Sequence, residues 1–334
     1  MFGRPMTLRR LSGVAERLLF HPSWFALGPQ TLETTTAAVF SHSPVEQIAA
    51  FKKNGFALIR RSAAQSLLDL STLESSILAL TNEKRDKGWL YKLLRYFNLA
   101  GEYVVRSPEK RYSIPLHLGL TDALQRVLNS AVGSIRPLLN SQLSQNACLV
   151  DLASIISFPL SERQKSHSDV PFHAHKIIVG FVALSAVSME SGPTCLFAGS
   201  HSEAFHARHV GHMSGSEALF RATHYSPNGD NDISPSLSSA ISAPAFAPSA
   251  ADDAAVSLTA QTAPTAAVLE AGDIVLYNST TFHFGGANVS SLPRALLMFS
   301  FQESTPWATI SQVEGFTYNH DASVRGKFSL DSFD

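Results

Sequence analysis

The stretch LEAGDIVLYNSTTFHFGGANVSSLPRALLMFSF, Leu269 to Phe301, decides the fold. Two apolar runs, Ile274–Tyr277 and Ala295–Phe301, are too short for helices and are separated by Asn, Gly, Ser and Pro. Ser290-Ser291-Leu292-Pro293 reads as a turn, so Arg294 opens the second strand. The same punctuation continues upstream in Ala147–Phe158, Lys176–Ala186, Thr194–Phe197 and Val268–Leu269. Short strands between turns predict an all-β sandwich or barrel.

Helical signals precede the strands. Ser43-Pro44-Val45-Glu46 forms a capping box with proline at the first helical position, and Gly55 is placed to end that helix. Phe56–Ile59 reads as a short strand. Leu67–Leu80 carries leucines at helical spacing, Trp89–Tyr103 reads as helix or binding loop, and Thr121–Leu143 reads as a helix bent or broken near Pro137. The expectation is a mainly β fold with flanking helices. Residues 1–42 read as a leader, and 43–334 as a single domain. An Ala/Ser/Pro-rich stretch, Ser226 to Ala267, lacks the periodicity of a packed element and reads as a low-complexity insertion.

Composition narrows the function. The 334 residues carry a formal net charge of −1, which points neither to nucleic acid nor to an anionic membrane. Two cysteines, Cys148 and Cys195, make no disulfide framework and suit a reducing, intracellular compartment. No apolar run has the length of a membrane span. The leader sets Arg4, Arg9, Arg10 and Arg17 against Glu16, with leucines roughly on one helical face. That is the composition of an organellar transit peptide or of a disordered start.

Chemistry concentrates in two segments. In Ser166-His167-Ser168-Asp169 the histidine and the aspartate are two positions apart, so on a strand both side chains share a face. In Phe282-His283-Phe284-Gly285-Gly286 a distant strand brings a third donor to the same mouth. Two imidazoles and one carboxylate make the facial triad of non-haem Fe(II) oxygenases, with three positions open for a chelating keto acid and dioxygen. With 13 histidines in the chain, a His-x-Asp pair arises readily by chance, so the pair needs support from elsewhere. Arg294, eleven positions after His283, supplies it: a strand-opening arginine can hold a carboxylate by two parallel hydrogen bonds.

Four blocks together resemble the phytanoyl-CoA dioxygenase-like family of Fe(II)/2-oxoglutarate-dependent oxygenases. They are EQIAAFKKNGFALIRR (46–61), QKSHSDVPFH (164–173), MESGPTCLFAGSH (189–201) and the opening stretch itself. The resemblance implies a double-stranded β-helix, the cupin-like jelly roll. It implies iron on His167, Asp169 and His283, and the far carboxylate of 2-oxoglutarate on Arg294. It implies dioxygenase activity, hydroxylating a small-molecule or acyl substrate with release of succinate and CO2. Two positions depart from the family pattern: Ser166 where many members carry an aromatic, and Gly285 where many carry a serine that helps hold oxoglutarate.

Other assignments compete. A non-catalytic, cupin-like metal-binding protein is the alternative, against which all three ligands and Arg294 stand. Halogenation needs a small residue in place of the carboxylate ligand, and Asp169 is present. His206-x-x-His209-x-x-His212 would be a zinc site only if helical, and lacks any HExxH frame. His173 and His175 follow the metal block as loop residues or substrate contacts. Lys84, Arg85, Lys87, Lys92 and Arg95 read as a solvated basic face, or as contacts for a substrate phosphate or carboxylate.

Overall fold

The computed structural model describes residues 40–41, 43–61, 65–86, 105–106, 110–164, 166–169, 176–209, 264–303 and 328–333. Residues 1–39, most of the Ala/Ser/Pro-rich stretch, Trp89–Tyr103, His173, His175 and His212 lie outside them. In chain order the elements are β1 (Phe40–Ser41), α1 (Pro44–Asn54), β2 (Phe56–Ile59), α2 (Leu67–Asp86), β3 (Val105–Arg106) and β4 (Arg111–Pro115). Next come α3 (Asp122–Gln142), β5 (Cys148–Ser157), β6 (Ile177–Ala183), β7 (Thr194–Leu196) and α4 (Glu203–His209). The remainder are β8 (Thr265–Ala266), β9 (Ile274–Asn278), β10 (His283–Gly285), β11 (Arg294–Gln302) and a short 3-10 helix, Leu330–Phe333.

The strands form two sheets. The major sheet has the order β1-β2-β9-β6-β11-β5-β4-β3, antiparallel except for the β1–β2 pair, and the minor sheet has the order β10-β7-β8. This is the mainly β fold with flanking helices, in the jelly-roll arrangement. Period-two alternation divides the major sheet's side chains. Ala57, Ile59, Ile178, Leu276, Leu297 and Phe299 pack outward in one core with the helices. Phe56, Leu58, Val179, Phe181, Val275 and Tyr277 face inward in a second core, joined by Leu196 of the minor sheet.

Two boundaries differ from the sequence expectation. Phe40–Ser41, at the end of the expected leader, pair with Leu58–Ile59. Thr265–Ala266, inside the expected insertion, pair with Cys195–Leu196. Small residues carry little periodic signal, yet Thr265, Ala266 and Ala267 are all buried.

Helix α3 runs through Pro137 without a break. An internal proline costs a helix about 3 kcal/mol. Burying each of Val132, Ile135, Leu138 and Leu139 on either side of it contributes roughly 1.5–3 kcal/mol. Packing therefore outweighs the lost hydrogen bond.

Helix α1 begins as its capping box predicts, with Ser43 Oγ accepting from Glu46 N–H at 3.2 Å. It ends at Gly55, whose φ of +85° is left-handed. The Gly55 carbonyl then accepts from Asn278 N–H at 2.8 Å and from Thr281 Oγ1 at 3.0 Å. A side chain at residue 55 would fall 2.7 Å from that hydroxyl. The close approach of Gly55 thus fixes the turn between β9 and β10.

Candidate metal centre

That turn delivers His283, on β10 of the minor sheet, opposite Leu196. His283 also forms an isolated antiparallel bridge with His167. Each donates its backbone N–H to the other's carbonyl, at 2.9 and 2.8 Å. Two residues on, Asp169 N–H bonds to the Ser279 carbonyl at 2.9 Å. The His167–Asp169 segment is therefore a bridge and an anchored loop rather than a strand. Its i and i+2 side chains still converge on the same point as His283.

One donor atom from each of His167, Asp169 and His283 lies within 4.8 Å of the other two. Among the described residues this is the only such group that could hold a metal ion. Asp169 Oδ1 lies 3.9 Å from His167 Nε2 and 3.6 Å from His283 Nε2.

Neighbouring groups orient the donors. His283 Nδ1 hydrogen-bonds the Thr281 carbonyl at 2.9 Å, which places the ring proton there and leaves Nε2 as a lone-pair donor. Burial holds the His283 pKa below the usual histidine value, so the ring is in the neutral form a metal requires. Asp169 Oδ2 accepts from the Tyr277 hydroxyl at 2.9 Å. Burial, reinforced by the Asp169 charge, raises the Tyr277 pKa well above the usual phenol value, so it stays a donor. Two imidazole nitrogens and one carboxylate oxygen on one face are the donor set of a non-haem iron(II) site.

Arg294 opens β11 as the turn Ser290–Pro293 predicts, and is 3 % exposed. It sits directly opposite Ser157 of β5, which on its other side is opposite Arg111 of β4. Three neighbouring strands thus carry an Arg111–Ser157–Arg294 row. Arg294 Nη2 donates to Ser157 Oγ at 2.9 Å, and Arg294 Nη1 donates to the Gly192 carbonyl. Arg294 Nε is buried without a hydrogen-bond partner, and none of the described partners of this residue is a carboxylate. Burial, then the neighbouring Arg111 charge, brings the Arg294 pKa down to about 9. Burying a cation with no described carboxylate partner carries a desolvation cost that a bound anion would offset.

Arg111 was not singled out in the sequence. It donates to Ser157 Oγ and to the carbonyls of Glu162, Gly285 and Gly286. Its strand, Arg111–Pro115, does alternate, with Tyr112 and Ile114 packed in the helix-side core, but five residues ending on proline make a faint signal. Gln164 was missed as well. Its N–H donates to the Gly285 carbonyl and its Oε1 accepts from Gly285 N–H, both at 2.9 Å. A side chain at residue 285 would come within 2.6 Å of Gln164 Oε1 and 2.9 Å of Arg111 Nη1. Arg111 and Gln164 fill the place that a residue-285 side chain would take, which is why glycine stands there.

The phytanoyl-CoA dioxygenase (PhyH) family model matches residues 51–296. The chain belongs to the phytanoyl-CoA dioxygenase family. His167, Asp169, His283, Arg294 and Arg111 all fall inside the family match. No curated protein sequence matches the chain significantly. Among solved structures, the chain is similar to the non-haem α-ketoglutarate-dependent carbocyclase SnoK from nogalamycin biosynthesis. Identity is 13 %, TM-score 0.48, covering 77 % of this chain and 83 % of that one. The α-ketoglutarate-dependent epimerase SnoN from the same biosynthesis is 17 % identical, with TM-score 0.43, covering 78 % of this chain and 84 % of that one. AviO1 from Streptomyces viridochromogenes Tue57 is 12 % identical, with TM-score 0.47, covering 80 % of this chain and 98 % of that one.

The second histidine run serves the same turn. His206 of α4 is buried, with Nε2 2.9 Å from the Thr280 carbonyl and its ring 5.5 Å from that of Phe282. It braces the approach to His283. The side chains of His209 and His212 lie outside the described residues. No described helix is long and apolar enough to cross a membrane.

Proposed function

We propose that this protein is an Fe(II)/2-oxoglutarate-dependent dioxygenase that hydroxylates a small-molecule or acyl substrate. The observation that carries this is the pairing of a His167–Asp169–His283 donor set with a buried Arg294 that has no carboxylate among its described partners, inside one jelly roll. Membership of the phytanoyl-CoA dioxygenase family supports it. The overall reaction takes substrate, 2-oxoglutarate and dioxygen to hydroxylated substrate, succinate and CO2. One oxygen atom enters the substrate and the other enters succinate.

His167, Asp169 and His283 would hold iron(II), which supplies when bound the redox chemistry at which keto acid and dioxygen meet. The protein's own residues do the rest. Thr281 and Tyr277 set the direction of His283 and Asp169. Arg294 takes the far carboxylate of 2-oxoglutarate in a charge-assisted pair. Arg111 adds a second positive charge beside it, and the Ser157 hydroxyl, accepting from both, spaces the two guanidinium groups. Phe181, Val275 and Leu296 pack in one core with Tyr277, the residue that holds Asp169.

The test is succinate formation over a panel of small carboxylic, acyl and acyl-thioester substrates, with and without iron(II). Iron-dependent succinate that rises with one substrate class is expected. No succinate under any condition, together with no visible band on anaerobic addition of oxoglutarate to the iron(II) protein, would overturn the assignment.

A further inference from the structure

Every second residue from 277 to 283 acts on the metal donors. Tyr277 donates its hydroxyl to Asp169 Oδ2, and the Ser279 carbonyl accepts the Asp169 N–H. The Thr281 carbonyl takes His283 Nδ1, and His283 is itself a donor. The Ser279 and Thr281 contacts fix where the donors sit. The Tyr277 contact does something different, because it selects between the two oxygens of one carboxylate.

We infer that Tyr277 is a positioning residue that keeps Asp169 a one-oxygen ligand. This rests on the proposed metal centre. A carboxylate free to turn can close both oxygens on a metal and take a fourth coordination position. Oxoglutarate needs two positions and dioxygen one, so only a three-point protein grip leaves room for both. Here Oδ2 is engaged by the phenol at 2.9 Å, while Oδ1 is the oxygen that faces both Nε2 atoms.

The phenol is well placed to hold that choice. Tyr277 is 1 % exposed, and its backbone lies mid-sheet between Phe56 of β2 and Val179 of β6. Its ring centroid is 4.7 Å from that of His283 and 5.6 Å from that of Phe181. The hydroxyl cannot swing away without moving a donor ring. Nothing in the sequence signals this role: Tyr277 reads there as the last apolar residue of a strand.

The experiment compares the full chain with Tyr277→Phe, which keeps the ring and removes the hydroxyl. Cobalt(II) titration followed by visible absorption reads metal affinity and coordination number. Anaerobic oxoglutarate titration of the iron(II) protein reads access to the open positions. A hydrogen bond to a charged group corresponds to about tenfold or more in a binding constant. Tyr277→Phe should therefore require at least about tenfold more oxoglutarate, with cobalt(II) affinity changed far less and its spectrum shifted toward a higher coordination number. A variant matching the parent in both titrations overturns the inference. So does a variant that loses metal outright, because Tyr277 would then secure Asp169 itself and not its mode of binding. Should the variant not fold, the parent answers alone: with ¹³C-labelled aspartate, one-oxygen coordination gives a wide splitting of the carboxylate stretches on metal addition. The narrow splitting of a two-oxygen ligand overturns the inference. If the parent binds no metal, the metal-centre reading fails first and this inference with it.

Discussion

Arg111 and Arg294, on strands that never touch, both donate to the hydroxyl of Ser157 on the strand between them. Two like charges in a buried row repel each other, and a bound dicarboxylate would relieve that repulsion. Arg294→Ala should weaken oxoglutarate binding roughly ten- to hundredfold, from about 1.5–3 kcal/mol for a charge-assisted hydrogen bond. Arg294→Lys should recover only part, because an ammonium lacks the two-pronged geometry. Iron affinity should barely change. The anaerobic charge-transfer band measures both. If Arg294→Ala titrates like the parent, the co-substrate is held elsewhere.

Arg111→Ala should act in the same direction on oxoglutarate. It should leave the unliganded protein's thermal transition near the parent's, since the lost hydrogen bonds are offset by removal of a buried like charge. An Arg111→Ala protein that binds oxoglutarate normally but melts far lower would make this arginine a structural strut for the Gly285–Gly286 backbone.

Gly285→Ser installs the serine that the family resemblance leads one to expect, yet here it should harm. The new Cβ would stand 2.6 Å from Gln164 Oε1 and 2.9 Å from Arg111 Nη1. Overpacking of that kind costs about 1–3 kcal/mol. Chemical denaturation should show a loss of that order, with weaker oxoglutarate binding. Pairing Gly285→Ser with Gln164→Ala should return part of the stability. A Gly285→Ser protein as stable as the parent would mean that Arg111 and Gln164 readily give way.

Much of this arrangement was legible in the sequence. His283 and Arg294 stood out because a turn and a strand start fix their places along the chain. The capping box at Ser43 and the glycine at 55 are local signals, and local chemistry decides them. What escaped was set across the sheet. Arg111 matters because β5 places it beside Ser157, a pairing 46 residues apart. Tyr277 matters through an oxygen 108 residues away. Thr265 and Ala266 looked like the end of a low-complexity stretch, because small residues gain their meaning only when a neighbouring strand covers them. Of the bend or break expected at Pro137, the break is absent for the same reason in reverse: distant packing outweighs a local penalty.

The boundary at Thr265 sets how much of the Ala/Ser/Pro-rich stretch can be removed. Replacing 227–263 with a short flexible linker should change stability little, since closure cost rises only logarithmically with loop length and this composition has little apolar surface to bury. Extending the cut through Thr265 and Ala266 should cost far more, because it removes β8 and uncovers Cys195 and Leu196. Thermal unfolding of the two deletions separates the cases. A collapsed transition in the shorter deletion would show that the stretch packs, whereas lost turnover with an unchanged transition would assign it a role at the active site.

Metal should stabilise the fold through the three donors, and co-substrate through the bound metal together with Arg294. A ligand at a hundred times its dissociation constant adds about 2.7 kcal/mol to the native state. Iron(II) or cobalt(II) under anaerobic conditions should therefore raise the melting temperature, and oxoglutarate should raise it further only when metal is present. Chelation should reverse both. His167→Ala, Asp169→Ala and His283→Ala should each fold but lose the metal-dependent rise, since each removes one of the three donors found among the described residues. His283→Ala also frees the Thr281 carbonyl from its ring partner, so its metal-free transition should fall somewhat below that of His167→Ala. A His283→Ala protein that still gains stability from metal would place the metal elsewhere, and the three-residue centre would fall.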